Sequence, residues 1–223
     1  MSFQLSTDTL AVLKNFATIN QSLVFQEGST LATISFGCSI IAKAKITEYF
    51  DTNFGIYDLN KFLSVLSMLE TPIIEPDEKV LKISSGRKRV NYVCAATNLI
   101  FGKGKHNPYE KNIELPSVDL AFNLTAEQLA DIKKGGDILN LPEIVVYSED
   151  NILKMKAIDR SNPTGDEYTI EIGDVEKDVH FVFRKENLKL LPFDYTVAIC
   201  AAGITKFTSD SVEYFIALEK DKK

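Results

Sequence analysis

The chain has 223 residues, a hydrophobic fraction of 45% and a formal net charge of −6. That length holds one large or two small folded domains, and the composition is ordinary for a soluble protein with a core. The negative balance argues against a protein that coats nucleic acid with a basic exterior, and it leaves open a groove or ring that is basic inside and acidic outside.

Four helices are predicted. The first runs from Thr7 to about Ile19, with Ser6 as N-cap, Asp8 in its first turn and Leu10, Leu13, Phe16 and Ala17 as its apolar stripe. The second runs from about Leu59 to Leu69 behind Asp58, with Leu59, Phe62, Leu63 and Leu66 inward. The third opens on the capping box Thr125-Ala126-Glu127-Gln128, buries Leu129 and Ile132, and is expected to stop at Gly135-Gly136. The fourth, about Lys185 to Leu191, is bounded by Pro192. Strands are expected at Ser22–Phe25, Thr30–Ser35, Ile40–Ile46, Phe54–Tyr57, Val80–Ser84, Arg89–Ala95, Ile144–Tyr147, Ile152–Ile158, Tyr168–Ile172, His180–Phe183, Tyr195–Ala201 and Glu213–Leu218. Tight turns such as Gln26-Glu27-Gly28-Ser29 and Ser148-Glu149-Asp150-Asn151 make them antiparallel hairpins. The fold class is α+β, two similar domains of antiparallel sheet with helices on one face.

The chain repeats itself. Leu5-Ser6, Leu10, Leu13 and Lys14 recur as Leu124-Thr125, Leu129, Ile132 and Lys133, displaced by about 119 positions, the length of a small domain. Gly55-Ile56-Tyr57 before Phe62 recurs as Phe181-Val182-Phe183 before Leu188, displaced by about 126. The turn-rich loop Asp159 to Asp166 accommodates the extra residues. The expected division is a first domain over 1–96, a connector over 97–119 and a second domain over 120–223.

Catalytic and metal motifs are missing. Gly102-Lys103-Gly104-Lys105 lacks phosphate-loop spacing and reads as linker. His106 and His180 are far apart and have no partner motif; no HExxH or GxSxG occurs. Asp159 to Glu167 fails the calcium-loop pattern at its glycine position. Glu75-Pro76-Asp77-Glu78 and Glu176-Lys177-Asp178 read as solvated turns. Cys38, Cys94 and Cys200 lie in apolar stretches with no CxxC and read as buried free thiols of a reducing compartment. No apolar run approaches the ~20 residues of a membrane helix. The N-terminus Met1-Ser2-Phe3-Gln4-Leu5-Ser6 has no signal-peptide pattern.

Lysines behave differently. Lys14, Lys61, Lys133, Lys134, Lys185 and Lys189 fall on or beside predicted helices, while strands and turns carry most of the acids. Lys14 and Lys133 occupy matching positions of the repeat, so the same helix face is basic twice. Closed by symmetry, such a face lines a positive channel.

Two long, correctly spaced segments, Leu13-Lys14-Asn15-Phe16-Ala17-Thr18-Ile19-Asn20 and Ile56 to Ser67 (Ile56-Tyr57-Asp58-Leu59-Asn60-Lys61-Phe62-Leu63-Ser64-Val65-Leu66-Ser67), resemble the sliding clamps, or DNA polymerase processivity factors, of T4-like bacteriophages. The order of elements agrees along nearly the whole chain; the second half matches mainly in pattern. Where that family tends to carry a tryptophan, this chain has Tyr92.

The resemblance implies the DNA clamp fold assembling into a ring, a head-to-tail homotrimer around duplex DNA. Such a protein tethers the replicative DNA polymerase, needs an ATP-dependent clamp loader, has no cofactor and no catalytic activity, and works in the host cytoplasm. The DNA-facing residues would be Lys14, Lys61, Lys133, Lys134, Lys185 and Lys189. The subunit interface would pair the edge strand around Arg87–Val93, with Arg87, Val90 and Tyr92, against Ile152–Ile158 of the next subunit, with Leu153 and Met155. A partner groove would use Leu115, Pro116, Val118, Leu120, Tyr214 and Ile216. Two other readings stay open: a non-catalytic two-domain scaffold or virion assembly protein that does not encircle DNA, and a hydrolase with an unrecognised acidic site.

Overall fold

The computed structural model describes residues 2–77, 79–100, 107–109 and 113–220. The Gly102 to Lys105 run, His106 and Glu78 lie outside the described residues. The chain divides into two compact units, Met1–Asn112 and Ile113–Lys223, a division that falls inside the 97–119 stretch.

The first unit contains α1 (Thr7–Ile19), β1 (Leu23–Phe25), β2 (Gly28–Ile34), β3 (Ile40–Phe50), β4 (Phe54–Ile56), α2 (Leu59–Ser67), β5 (Ile73–Asp77), β6 (Val80–Ser85), β7 (Lys88–Val93) and α3 (Thr97–Ile100). All ladders are antiparallel: β1 with β4, β2 with β3, and β5-β6-β7 in sequence. Ser6 caps α1, its hydroxyl accepting from the Thr9 N–H at 3.1 Å. The Glu48 carboxylate of β3 accepts the Ser6 N–H and the Thr9 hydroxyl, so a strand holds the helix start. Asp58 caps α2 through the Lys61 N–H at 2.9 Å.

The buried stripe of α1 is Val12, Leu13, Phe16 and Ile19 with Thr9. Leu10 and Ala17, expected inward, are half-buried. Both sets satisfy the 3–4 spacing of a helix face, and packing beside α2 as well as on β2 and β3 turns the stripe toward Val12. Aromatic rings fill the core: Phe25 stacks on Phe54 at 4.5 Å and meets Phe50 edge-on at 5.2 Å, while Phe62 meets Tyr92 at 5.3 Å.

The second unit contains β8 (Leu120–Leu124), α4 (Ala126–Ile138), β9 (Glu143–Glu149), β10 (Ile152–Ile158), β11 (Tyr168–Asp174), β12 (His180–Arg184), a 3₁₀ turn (Lys185–Asn187), β13 (Tyr195–Cys200), β14 (Ile204–Thr208) and β15 (Val212–Ala217). One antiparallel run has the order β11-β10-β9-β12; a second has β15-β14-β13-β8. The capping box of α4 is complete, Thr125 and Gln128 each bonding the other's backbone N–H. Asp194 accepts the Ala126 N–H at 2.7 Å, the counterpart of Glu48 on α1.

Three expectations change here. Helix α4 does not stop at Gly135-Gly136 but continues to Ile138. These glycines serve close packing: a Cβ on Gly135 would lie 2.2 Å from the Tyr168 ring, and one on Gly136 would lie 2.9 Å from the Lys185 side chain. The fourth helix is only the 3₁₀ turn, because Leu188, Leu190 and Leu191 are all buried at a spacing no single helix face provides. Cys38 is exposed at positive φ in the β2–β3 turn, Cys94 is half-buried and Cys200 is buried; all three are free. Strands β5, β8 and β14 go beyond those expected, and β5 includes Glu75, Pro76 and Asp77. Pro76 is tolerated because β5 has a single ladder partner.

Candidate functional site

Local rules put the helix lysines where they are. Lys14 lies opposite the buried stripe of α1, and Lys61 stands in the first turn of α2; both are exposed, as is Lys134 on α4. Lys133 is half-buried; burial pushes its pKa down, and Asp137 one turn on opposes that shift. Lys189 is half-buried between the buried Leu188 and Leu190.

Lys185 differs from the expected exposed cation. Its ammonium donates to the Gly136 carbonyl at 2.7 Å and pairs with Asp137 Oδ1 at 2.7 Å, and its side chain is only 18% exposed. It satisfies a carbonyl in the last turn of α4, where cations are favoured by orphan C=O groups and the helix dipole.

The edge strands come next. Strand β7 pairs only with β6. Arg87 sits in the turn before it, and Lys88, Arg89 and Val93 are exposed along it, Val93 at 74%. Val90 is half-buried. Tyr92 points inward, buried against Phe62, its hydroxyl donating to the Asp58 carbonyl at 3.1 Å. It packs the core, so it is not part of an exposed contact surface.

The second expected edge is displaced. β10 (Ile152–Ile158) lies between β9 and β11, so neither of its sides is open. Leu153 and Met155 are 2% and 3% exposed and belong to the core. The open edge is β11, with exposed Glu171 and Asp174 and half-buried Ile170 and Ile172. The acidic loop before β11, with Asp166 and Glu167, continues that character. The signal for this edge was in the hairpin order, since a strand with hairpin partners on both sides cannot be an edge.

The groove residues separate into two groups. Leu115 is half-buried, Pro116 exposed and Val118 57% exposed. Leu120, Tyr214 and Ile216 are buried, Tyr214 and Ile216 completely, and they are core rather than groove. The alternation that places Leu120 inward places Asp119 outward, where its carboxylate accepts the Ala201 N–H at 2.8 Å and the Ser117 hydroxyl at 3.0 Å. Sequence reasoning missed Tyr109: its hydroxyl donates to the Val24 carbonyl at 2.8 Å and accepts the Ala32 N–H at 3.0 Å, bridging β1 and β2.

Among the described residues no group of His, Cys, Asp and Glu could hold a metal ion, and no helix is long and apolar enough to cross a membrane.

Antiparallel sheets backed by helices, built twice, define the processivity-clamp fold. The chain matches the A. fulgidus PCNA solved with the C-terminal region of FEN-1 (TM-score 0.71, 14% identity, 100% of this chain and 99% of that one). It also matches the Entamoeba histolytica proliferating cellular nuclear antigen (0.70, 13%, 98% of each) and the Helicobacter pylori beta clamp bound to a DNA ligase peptide (0.72, 12%, 98% of this chain and 65% of that one).

The family is given by sequence. Residues 6–104 match the family model for the DNA polymerase processivity factor, and residues 121–220 the one for the C-terminal part of the gp45 sliding clamp. The sliding clamp of Vibrio phage KVP40 is 31% identical over 97% of this chain and 99% of that one; that of Enterobacteria phage T4 is 27% identical over 98% and 97%. The chain belongs to the sliding-clamp family of T4-like phages: it is a non-catalytic processivity factor of DNA replication.

Proposed function

We propose that three copies join head to tail into a closed ring around duplex DNA, the basic edge β7 of one copy extending the sheet that ends at the acidic edge β11 of the next. The observation that carries this is the pair of open edges. Each has one ladder partner, one bears Arg87, Lys88 and Arg89, and the other bears Glu171 and Asp174. An open strand invites pairing, opposite charge directs it, and a heterologous contact that closes gives a ring. Residues 1–96 and 120–223 then act as the two clamp domains and 97–119 as their connector.

Within such a ring the helices face the duplex. Mobile lysines meeting phosphates are sequence-blind, so they hold the clamp near DNA without fixing its position. The acidic balance elsewhere keeps DNA off the outer surface. The replicative polymerase is tethered by topology, loading uses an ATP-driven loader, and the ring works in the cytoplasm of the phage host. Leu115, Pro116 and Val118 offer a short apolar surface for a replication-protein peptide, as a DNA ligase peptide is bound by the Helicobacter pylori clamp.

Light scattering over a dilution series tests the assembly. The expected mass is three times the 24.9 kDa chain, falling to one chain on dilution. A single chain at every concentration would overturn the ring.

A further inference from the structure

The six helix-associated lysines are not equivalent, and their differences follow the two units. In the first unit α2 carries Lys61 and no carboxylate, and α1 carries Lys14 in mid-helix, with Asp8 confined to the first turn. Both ammonium groups are on exposed side chains. In the second unit α4 carries Lys133 and Lys134 among Glu127, Asp131 and Asp137. Lys133 is half-buried beside Asp137, and Lys185 is committed to Asp137 and the Gly136 carbonyl, both at 2.7 Å. Glu186 follows Lys185 directly and pairs with Arg184, which Glu219 also holds.

A cation already paired inside the protein adds little when a phosphate arrives. Its charge is largely cancelled at phosphate distance, and it releases few counterions from DNA. We propose that DNA backbone contact is carried mainly by the first unit, through Lys14 and Lys61, with Lys134 as the exposed helix lysine of the second unit, while Lys133 and Lys185 hold α4 in place. This rests on the reading that the helices face duplex DNA. A closed ring then presents alternating basic and near-neutral wall segments to the duplex.

Two measurements test it. The first is the salt dependence of binding to a fluorescent open-ended duplex, which can thread in and out of the ring. Removing two phosphate contacts with K14Q/K61Q should shrink the loss of affinity between ~50 and ~200 mM salt by up to about tenfold. K133Q/K185Q should keep the wild-type salt slope and lower Tm. The second is acetylation of lysines in wild-type protein, free and loaded on nicked plasmid, read by mass spectrometry. Lys14, Lys61 and Lys134 should gain protection on DNA; Lys133 and Lys185 should react slowly in both states.

Equal flattening by K133Q/K185Q, or DNA protection of Lys133 and Lys185 equal to that of Lys14 and Lys61, would overturn the assignment alone. Salt-independent duplex binding by the wild type, with no lysine protected, would overturn both the assignment and the reading beneath it.

Discussion

Tyr168 of β11 lies so close to Gly135 of α4 that a Cβ at Gly135 would sit 2.2 Å from its ring. The glycine is mid-helix, where it costs about 1 kcal/mol of helix propensity relative to alanine. Gly135→Ala recovers that amount and forces the ring aside, an overpacking cost of about 1–3 kcal/mol. The near end of the ring is the part that clashes, so simple rotation does not relieve it. The expected net effect is destabilisation by about 1–2 kcal/mol in urea unfolding. Tyr168→Ala in the same chain should make Gly135→Ala neutral or stabilising. Gly136→Ala should cost less, because its nearest neighbour is the flexible Lys185 chain.

Lys185 itself is the next test. A charged hydrogen bond to a part-buried carbonyl is worth about 1.5–3 kcal/mol when its removal leaves the acceptor unmet. Lys185→Met should therefore lower stability by about 1–2 kcal/mol. Asp137→Asn should cost much less, since Asp137 is 70% exposed and the Gly136 contact survives. Equal losses from both variants would place the worth of the cluster in the ion pair.

Acid should weaken the start of α1. Burial pushes the Glu48 carboxyl up, but hydrogen bonds from Thr9 and Ser6 outweigh it, and its pKa lies below the ordinary glutamate value. A folded-state pKa below the unfolded one gives stability that is complete above the unfolded value of about 4.3 and is lost as pH falls through the folded value. Urea midpoints at pH 7 and at progressively lower pH should therefore fall further for the wild type than for Glu48→Gln. Parallel curves would remove Glu48 from the acid response.

Charge at the two open edges should direct assembly. Arg89→Glu places like charge against Glu171 in the proposed contact and should weaken assembly several-fold, an effect of about 1 kcal/mol for an exposed pair. Glu171→Arg in the same chain should restore it. Both effects should shrink at high salt. Failure of the second change to rescue the first would locate the contact at other residues.

Much of this was legible in the chain because it is local. Ser6, Asp58 and Thr125 announce the three main helices, since a short polar side chain before an apolar 3–4 pattern satisfies otherwise orphaned N–H groups. The repeat was legible too: α1 and α4 have 13 residues each. What failed depended on distant residues. Gly135-Gly136 carries the same signal for a helix end and for close packing, and only Tyr168 and Lys185 decide between them. Lys185 looked like a free cation because its partners, Gly136 and Asp137, lie far back in sequence. Strand β10 looked like an edge because alternation reports which face is buried and says nothing about how many neighbours a strand has. Leu120, Tyr214 and Ile216 are apolar in a core and in a groove alike, and burial alone separates them.

Retention on DNA tests the central claim most directly. The protein is loaded onto nicked circular plasmid by its cognate loader and ATP, separated from free protein at moderate salt, and the plasmid is then cut once. A ring that encircles without gripping stays on the circle and runs off the ends within minutes of linearisation. Equal retention on circular and linear DNA would mean a surface grip, and would contradict the account.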